Sequence, residues 1–198
     1  MSLLLSNSVA GLFFQVVPVA LLAALLYCAG RYYFLKTRSR PFVWHTELLR
    51  TMFVCYVTGL VNLVLVPPNF WGDIWYCLLV AGFDGWTAPR LFTGHFVLIP
   101  TFVRYLTGEF AGSPGAWVTT MLAGNFLMLI PMGIFVPLVF PRMRGRRMAA
   151  AALLIPLAME LLQPVVGRSF DTDDLICNSL GILLGWCLAA LLRKKSNT

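Results

Sequence analysis

Five long apolar runs, each closed by charge or proline, organise the chain. The first, Val9–Gly30, holds 22 residues without a charge. At about 1.5 Å per residue it reaches roughly 33 Å, enough for a hydrocarbon core of about 30 Å. The second, Thr51–Val66, is stopped by Pro67 and Pro68. It is short for a span, so its helix is predicted to start nearer Glu47, with Arg50 snorkelling to the interface. Ala116–Phe140 follows and ends before Arg142, Arg144, Arg146 and Arg147; Met148–Gln163 and Asp174–Leu192 complete the set, the last closing on Arg193, Lys194 and Lys195. This pattern predicts an all-α polytopic membrane bundle with five transmembrane helices.

The stretch between the second and third runs is harder. Ile74–Phe83 and Phe92–Leu106 are apolar but broken by Gly, Pro or charge. Segments this short are expected to be interfacial or re-entrant. Trp71, Trp75, Tyr76 and Trp86 suit an aromatic interface belt, the alternative being an aromatic ligand platform. The expected organisation is an N-terminal membrane region over residues 1–115, a three-span core over 116–192, and a basic tail over 193–198.

Composition strengthens the membrane reading. Hydrophobic residues make up 59% of the chain and charged ones 12%, against about 25% charged in soluble domains; mean hydropathy is +0.80. The net charge of +7 could suggest nucleic acid, yet the basic residues adjoin apolar spans and no free basic domain exists. Their placement is topological. The first, third and fifth runs are followed by Arg31, Lys36, Arg38, Arg40 and Arg50, by Arg142, Arg144, Arg146 and Arg147, and by Arg193, Lys194 and Lys195, twelve of the fifteen basic residues. Since Lys and Arg accumulate on cytoplasmic loops, the N-terminus is predicted outside and the C-terminus inside. Residues 69–115 and the loop Pro164–Asp173 then share the outer face. The N-terminal stretch has no basic region before its apolar run, which predicts a retained first span rather than a signal peptide.

Candidate chemistry is concentrated at the outer ends of the last two spans. Glu160 and Gln163 lie three apart and share a helix face. Asp174, Asn178, Gly181 and Gly185 recur at helical spacing on the fifth span, and Gly181 with Gly185 forms a Gly-x-x-x-Gly packing motif. The short loop between the spans predicts an antiparallel hairpin closed along those glycines, facing the Ala149, Ala152, Pro156 stripe of the fourth. Asn125 falls roughly 13 Å inside the outer end of its span, Glu160 and Asn178 roughly 6 Å inside theirs, so they share a leaflet. An ionisable residue at that depth is costly and marks either function or a helix-tying network. Arg168, the only basic residue between Arg147 and Arg193, is expected to turn inward and pair with Glu160, Asp171 or Asp174. The alternative sends Arg168 outward to a lipid phosphate and leaves Asp171 as a helix cap.

No metal or cofactor is expected. His95 has no helical partner ligand, His45 sits beside the basic loop, and the five cysteines show neither CxxC nor metal spacing. No GxSxG, HExxH or P-loop occurs.

Two stretches carry a family resemblance. Asn125-Phe-Leu-Met-Leu-Ile-Pro131-Met-Gly133 is similar to the VanZ-like pattern of Asn, then Pro-x-Gly, in a membrane helix. Glu160-Leu-Leu-Gln163, followed by Gly167-Arg168-Ser169-Phe170-Asp171 and Asp174-Leu-Ile-Cys-Asn178-Ser-Leu-Gly181, resembles that family's most diagnostic segment. The resemblance covers about Trp117–Leu192. Upstream, Val97-Leu98-Ile99-Pro100-Thr101 keeps a Leu-Ile-Pro but lacks the Asn and Phe often seen around it. The resemblance implies a multi-pass protein of the bacterial cytoplasmic membrane, in a family named for teicoplanin resistance.

Two functions compete. One is a non-enzymatic envelope protein that binds membrane lipid, a lipid-linked cell-wall precursor or a lipoglycopeptide at the outer leaflet, through Asn125, Glu160, Gln163, Arg168, Asp171, Asp174 and Asn178. The other is an intramembrane enzyme acting on a lipid or polyprenyl carrier, with Glu160 or Asp174 as acid or base. A small proton-coupled transporter subunit has less support.

Overall fold

The computed structural model describes residues 9–67, 69–109 and 116–196. Pro68, residues 110–115 and the end of the basic tail, on which parts of the sequence reading fall, lie outside the described residues. Among the described residues five helices are long and apolar enough to cross a membrane: Ala10–Thr37, Trp44–Leu65, Val118–Val139, Arg146–Val166 and Thr172–Arg193. The chain divides into two compact units, Met1–Arg90 and Leu91–Thr198.

In the first unit, α1 (Val9–Thr37) and α2 (Trp44–Leu65) form a hairpin. Cys28 Sγ meets Thr51 Oγ1, Arg31 meets Glu47, and Cys55 Sγ approaches the Ala20 carbonyl, so numbers fall on one helix as they rise on the other. The helices are therefore antiparallel. Both are longer than the apolar runs that announce them. α1 continues past Gly30 to Thr37, and α2 begins at Trp44, with Glu47 in its first turn as the shortness of the run from Thr51 predicts. The extension has an electrostatic reason. Glu47, 8% exposed, takes the Arg31 guanidinium in a two-pronged grip at 2.8 and 2.9 Å and Arg50 Nη1 at 2.8 Å. Those charges are carried by helix, so an apolar run bounded at the first arginine underestimates it.

α3 (Phe70–Tyr76) runs on into a π-helical turn, Cys77–Ala81, and together they are too short to span. Two of the aromatics read as interface-belt residues tie α3 to the hairpin. Trp71 Nε1 donates to Asn62 Oδ1 on α2, and Trp75 Nε1 to the Gln15 carbonyl on α1, both at 2.9 Å.

The second unit holds α5 (Ala116–Val139), α6 (Arg146–Leu162) and α7 (Thr172–Ser196). Before them come a two-residue strand β1 (Phe96–Val97) and the short helix α4 (Thr101–Leu106); between α6 and α7 lie a 3₁₀ turn, Gln163–Val166, and β2 (Phe170–Asp171). Phe92–Leu106 thus contains no helix of spanning length, in line with its reading as a non-spanning segment. β1 and β2 pair in parallel, Phe96 with Phe170 and Val97 with Asp171. Leu129, Ile182 and Met148, one from each long helix, are wholly buried.

The expected glycine contact is corrected. Gly181 and Gly185 face α5, not α6. A Cβ built on Gly181 would strike the Phe126 carbonyl oxygen, and one on Gly185 the Ile130 carbonyl oxygen. α5 answers with Gly133, whose added Cβ would sit 2.7 Å from the Trp186 amide nitrogen and 2.9 Å from Gly185 Cα. Contacts climb together, 126 with 181 and 130 with 185, so α5 and α7 run parallel. Loop length decides which spans are consecutive; closest approach is decided by which helices bring glycine, and α6 has none, its buried face carrying Ala151 and Ala152 beside the larger Met148, Pro156, Met159 and Glu160.

Candidate functional site

The site begins where α6 ends. Pro164 opens the 3₁₀ turn, and Gly167, at φ 80°, turns the chain in the left-handed region that glycine tolerates. The Arg168 amide returns to the Gln163 carbonyl at 3.0 Å. This compact reversal brings Asp171 back to α6, where its backbone N–H donates to Glu160 Oε2 at 3.1 Å. Gln163 Nε2 donates to Glu160 Oε1 at 2.9 Å, across the same helix face that the i, i+3 spacing predicts. Glu160 is 0% exposed, and each oxygen has a donor. A buried carboxylate without such donors would be far costlier.

Asp171 caps α7. Its Oδ1 accepts from the Asp173 amide at 2.9 Å, so the helix's orphan N-terminal donors gain a partner. One turn on, the Asp174 side chain lies against that of Asn125 from α5. Asn125 of α5, Glu160 of α6 and Asp174 of α7 therefore gather here, with Gln163 and Asp171 from the connection between α6 and α7. Asn178 follows Asp174 by one turn; it is 2% exposed, and its Oδ1 is buried with no partner.

Arg168 sits in the loop beside them. Burial lowers its guanidinium pKa, while the carboxyl groups of Asp174 and Glu160 push it back up. Asp171 lies outside the spanning helices and its carboxyl is raised, first by burial and then by the neighbouring Asp173 charge, against the Asp173 amide that stabilises the ionised form.

The segment before α5 forms the second wall, one that sequence reasoning missed. Phe92 N–H donates to the Val165 carbonyl at 2.8 Å, Gly94 N–H to Pro164 at 3.2 Å, and Phe170 N–H to His95 at 2.9 Å. Asp173 Oδ2 accepts from the Thr101 amide at 2.7 Å, at the start of α4. Thr172 Oγ1 donates to the Leu98 carbonyl at 3.1 Å, and Ser169 Oγ lies 3.0 Å from His95 Nε2. Gly94 is obligatory in this contact, since a Cβ there would strike the Arg168 carbonyl oxygen and come within 2.5 Å of Pro164 Cα. Among the described residues, no group of three or more His, Cys, Asp or Glu side chains is arranged to hold a metal ion.

Chemically, the site offers a fully hydrogen-bonded carboxyl at Glu160, a second at Asp174, a cation at Arg168 and a bare buried acceptor at Asn178. It can bind a group that donates hydrogen bonds, and its carboxyls can exchange protons. Comparison with curated proteins and with solved structures returned no match. A family profile described as VanZ/LLP1 matches residues 16–193, and so takes in most of the α1–α2 hairpin as well as the three long helices of the second unit. The match spans both units and includes every residue of the polar cluster, and the chain belongs to the VanZ/LLP1 family.

Proposed function

We propose that this protein is a binding component of the bacterial cytoplasmic membrane that takes a lipid, a lipid-linked cell-wall precursor or a lipoglycopeptide such as teicoplanin at the outer leaflet. The observation that carries the reading is the buried, partnerless Oδ1 of Asn178, one helical turn beyond Asp174. A buried acceptor without a donor costs about 1–3 kcal/mol and is a standing invitation to a hydroxyl or amide donor. Sugar hydroxyls, lipid glycerols and peptide amides all supply one. The charge pattern supports an outer location: Arg142–Arg147 joins α5 to α6 at the end of the unit away from the Gln163–Asp173 loop. Family membership supports the envelope setting, and through it a contribution to teicoplanin resistance.

Native mass spectrometry of the purified full-length protein tests this. Discrete co-purified lipid or lipid-linked adducts are expected, and Asn178→Leu should remove them while Leu153→Ala, on an exposed face, leaves them. Absence of adducts, or adducts indifferent to Asn178→Leu, would overturn the reading. If extracted lipid is instead chemically converted, and Glu160→Gln abolishes conversion in a folded protein, the intramembrane-enzyme reading replaces it.

A further inference from the structure

The polar cluster leaves the first unit unused, and that unit carries a cavity of its own. An open cavity of about 410 Å³ lies where α1 ends and α2 begins, lined among others by Arg31, Arg40, Thr46, Glu47 and Arg50. Three arginines face one glutamate. That glutamate is already engaged, by Arg31 at 2.8 and 2.9 Å and by Arg50 at 2.8 Å. Among the described residues Arg40 has no acid partner, and Ser39, at φ 48°, sets the turn from which it projects. The cavity therefore holds more positive charge than the protein neutralises.

A second trough of about 350 Å³ adjoins it and shares Arg31 and Glu47. Its other walls are largely apolar, among them Tyr27, Phe42, Trp44 and Leu48. A free phosphate would need the first cavity and have no use for the second. A ligand with an anionic head and a hydrocarbon chain uses both.

We propose that the basic end of the α1–α2 hairpin is a lipid site that takes the phosphate of an anionic phospholipid among Arg31, Arg40 and Arg50, with an acyl chain along Tyr27, Trp44 and Leu48. Guanidinium forks match phosphate oxygens in pairs, and Glu47 holds two of the three forks in place before the lipid arrives. The excess of basic residues on this connection assigns it to the cytoplasmic leaflet, where anionic lipids add attraction of about 1 kcal/mol per basic residue. The site shares no residue with the Glu160 cluster and does not depend on the function proposed for it.

The test is titration of the detergent-solubilised full-length protein with dioleoylphosphatidylglycerol or dioleoylphosphatidylcholine, read by native mass spectrometry. Phosphatidylglycerol should bind at least about five-fold more tightly than phosphatidylcholine. Arg40→Gln should weaken it by about five-fold, the equivalent of ~1 kcal/mol, without lowering the melting temperature. Arg38→Gln removes the same charge from outside the cavity lining and should change affinity less than two-fold. Asn178→Leu should leave this binding unchanged, whatever it does to adducts at the other cluster. Equal losses for Arg38→Gln and Arg40→Gln would mean diffuse attraction to a basic loop and would overturn the site. Displacement of the lipid by millimolar inorganic phosphate would reduce it to a phosphate site, and full affinity in Arg40→Gln would remove it.

Discussion

Gly133 on α5 and Gly185 on α7 meet backbone to backbone, with a Cβ at Gly133 falling 2.9 Å from Gly185 Cα. In lipid there is no hydrophobic drive to bring two apolar helices together, so close approach of small residues supplies much of their attraction. Gly133→Leu or Gly185→Leu should therefore destabilise the second unit by about 1–3 kcal/mol or prevent its folding, as overpacking does. Gly124→Leu, on the same helix but with nothing within 4 Å, should be tolerated. Melting of the purified variants in detergent checks the contrast; an unchanged Gly133→Leu protein would remove the claim.

The docking of residues 92–101 onto the α6–α7 loop rests on main-chain bonds and on the bare Cα of Gly94. Gly94→Ala cannot be seated without moving the Arg168 carbonyl and Pro164. The expected result is loss of protection at the Phe92, Gly94, Phe170 and Thr101 amides in hydrogen exchange, with α5 and α7 still protected. Full protection of those amides in Gly94→Ala would show that the contact is not where the glycine is needed.

These two glycine sites also show what the sequence makes legible. Apolar length and flanking charge mark all five spanning helices, because a bilayer accepts little else. The Gly-x-x-x-Gly of Gly181 and Gly185 announces a close helix contact but says nothing about the partner. A short loop points to α6; the matching Gly133, which sits in the Pro-x-Gly of α5, points to the partner found. Glu160 with Gln163 could be paired from spacing, and the gathering of Asp171 and Asp174 near them from the short loop. Asn125 joining Asp174 follows from parallel α5 and α7, which no periodicity reveals. The wall built by 92–101 is almost unreadable, because the Val165, Pro164 and His95 carbonyls that hold it are present in any sequence. The residue-specific signals are Gly94, which has no room for a side chain, and the Asp173, Thr172 and Ser169 side chains that reach Thr101, Leu98 and His95.

Asp171 provides a pH test. Burial raises its carboxyl pKa above the unfolded value, so its ionisation opposes folding. Its contribution to stability is full below the unfolded pKa of about 3.9 and is lost as pH rises through the folded pKa. Asn keeps the side-chain oxygen that caps α7 and cannot ionise. Asp171→Asn should thus melt higher than wild type at pH 7–8, with the gap closing as pH falls toward 4. Asp171→Ala loses the cap as well and should be less stable than Asp171→Asn by ~1 kcal/mol at every pH. Parallel melting curves for wild type and Asp171→Asn across that range would exclude the buried charge as the cause.

Arg168 is the cation on which the cluster's electrostatics turn. Its guanidinium is depressed by burial and held up by Asp174 and Glu160, a balance that ties the three groups together. Removing it leaves two carboxyls in a poorly solvated site without the positive charge that acts on both. Each must then take up a proton or bear the cost of its charge. Arg168→Ala should lower stability by ~1–3 kcal/mol, the usual cost when a buried charged group loses its partner. It should also abolish the lipid adducts proposed for this site, because protonated carboxyls no longer present the same acceptors. Arg168→Lys separates charge from shape. Lysine restores the positive charge as a compact point, without the planar fork that can serve two oxygens at once. An intermediate result is expected, with most of the stability regained and adduct formation still reduced. Wild-type adducts in Arg168→Lys would show that charge alone suffices and that the fork is incidental. Wild-type melting and adducts in Arg168→Ala would show that the carboxyls manage without the arginine, and the electrostatic account of the cluster would have to be abandoned.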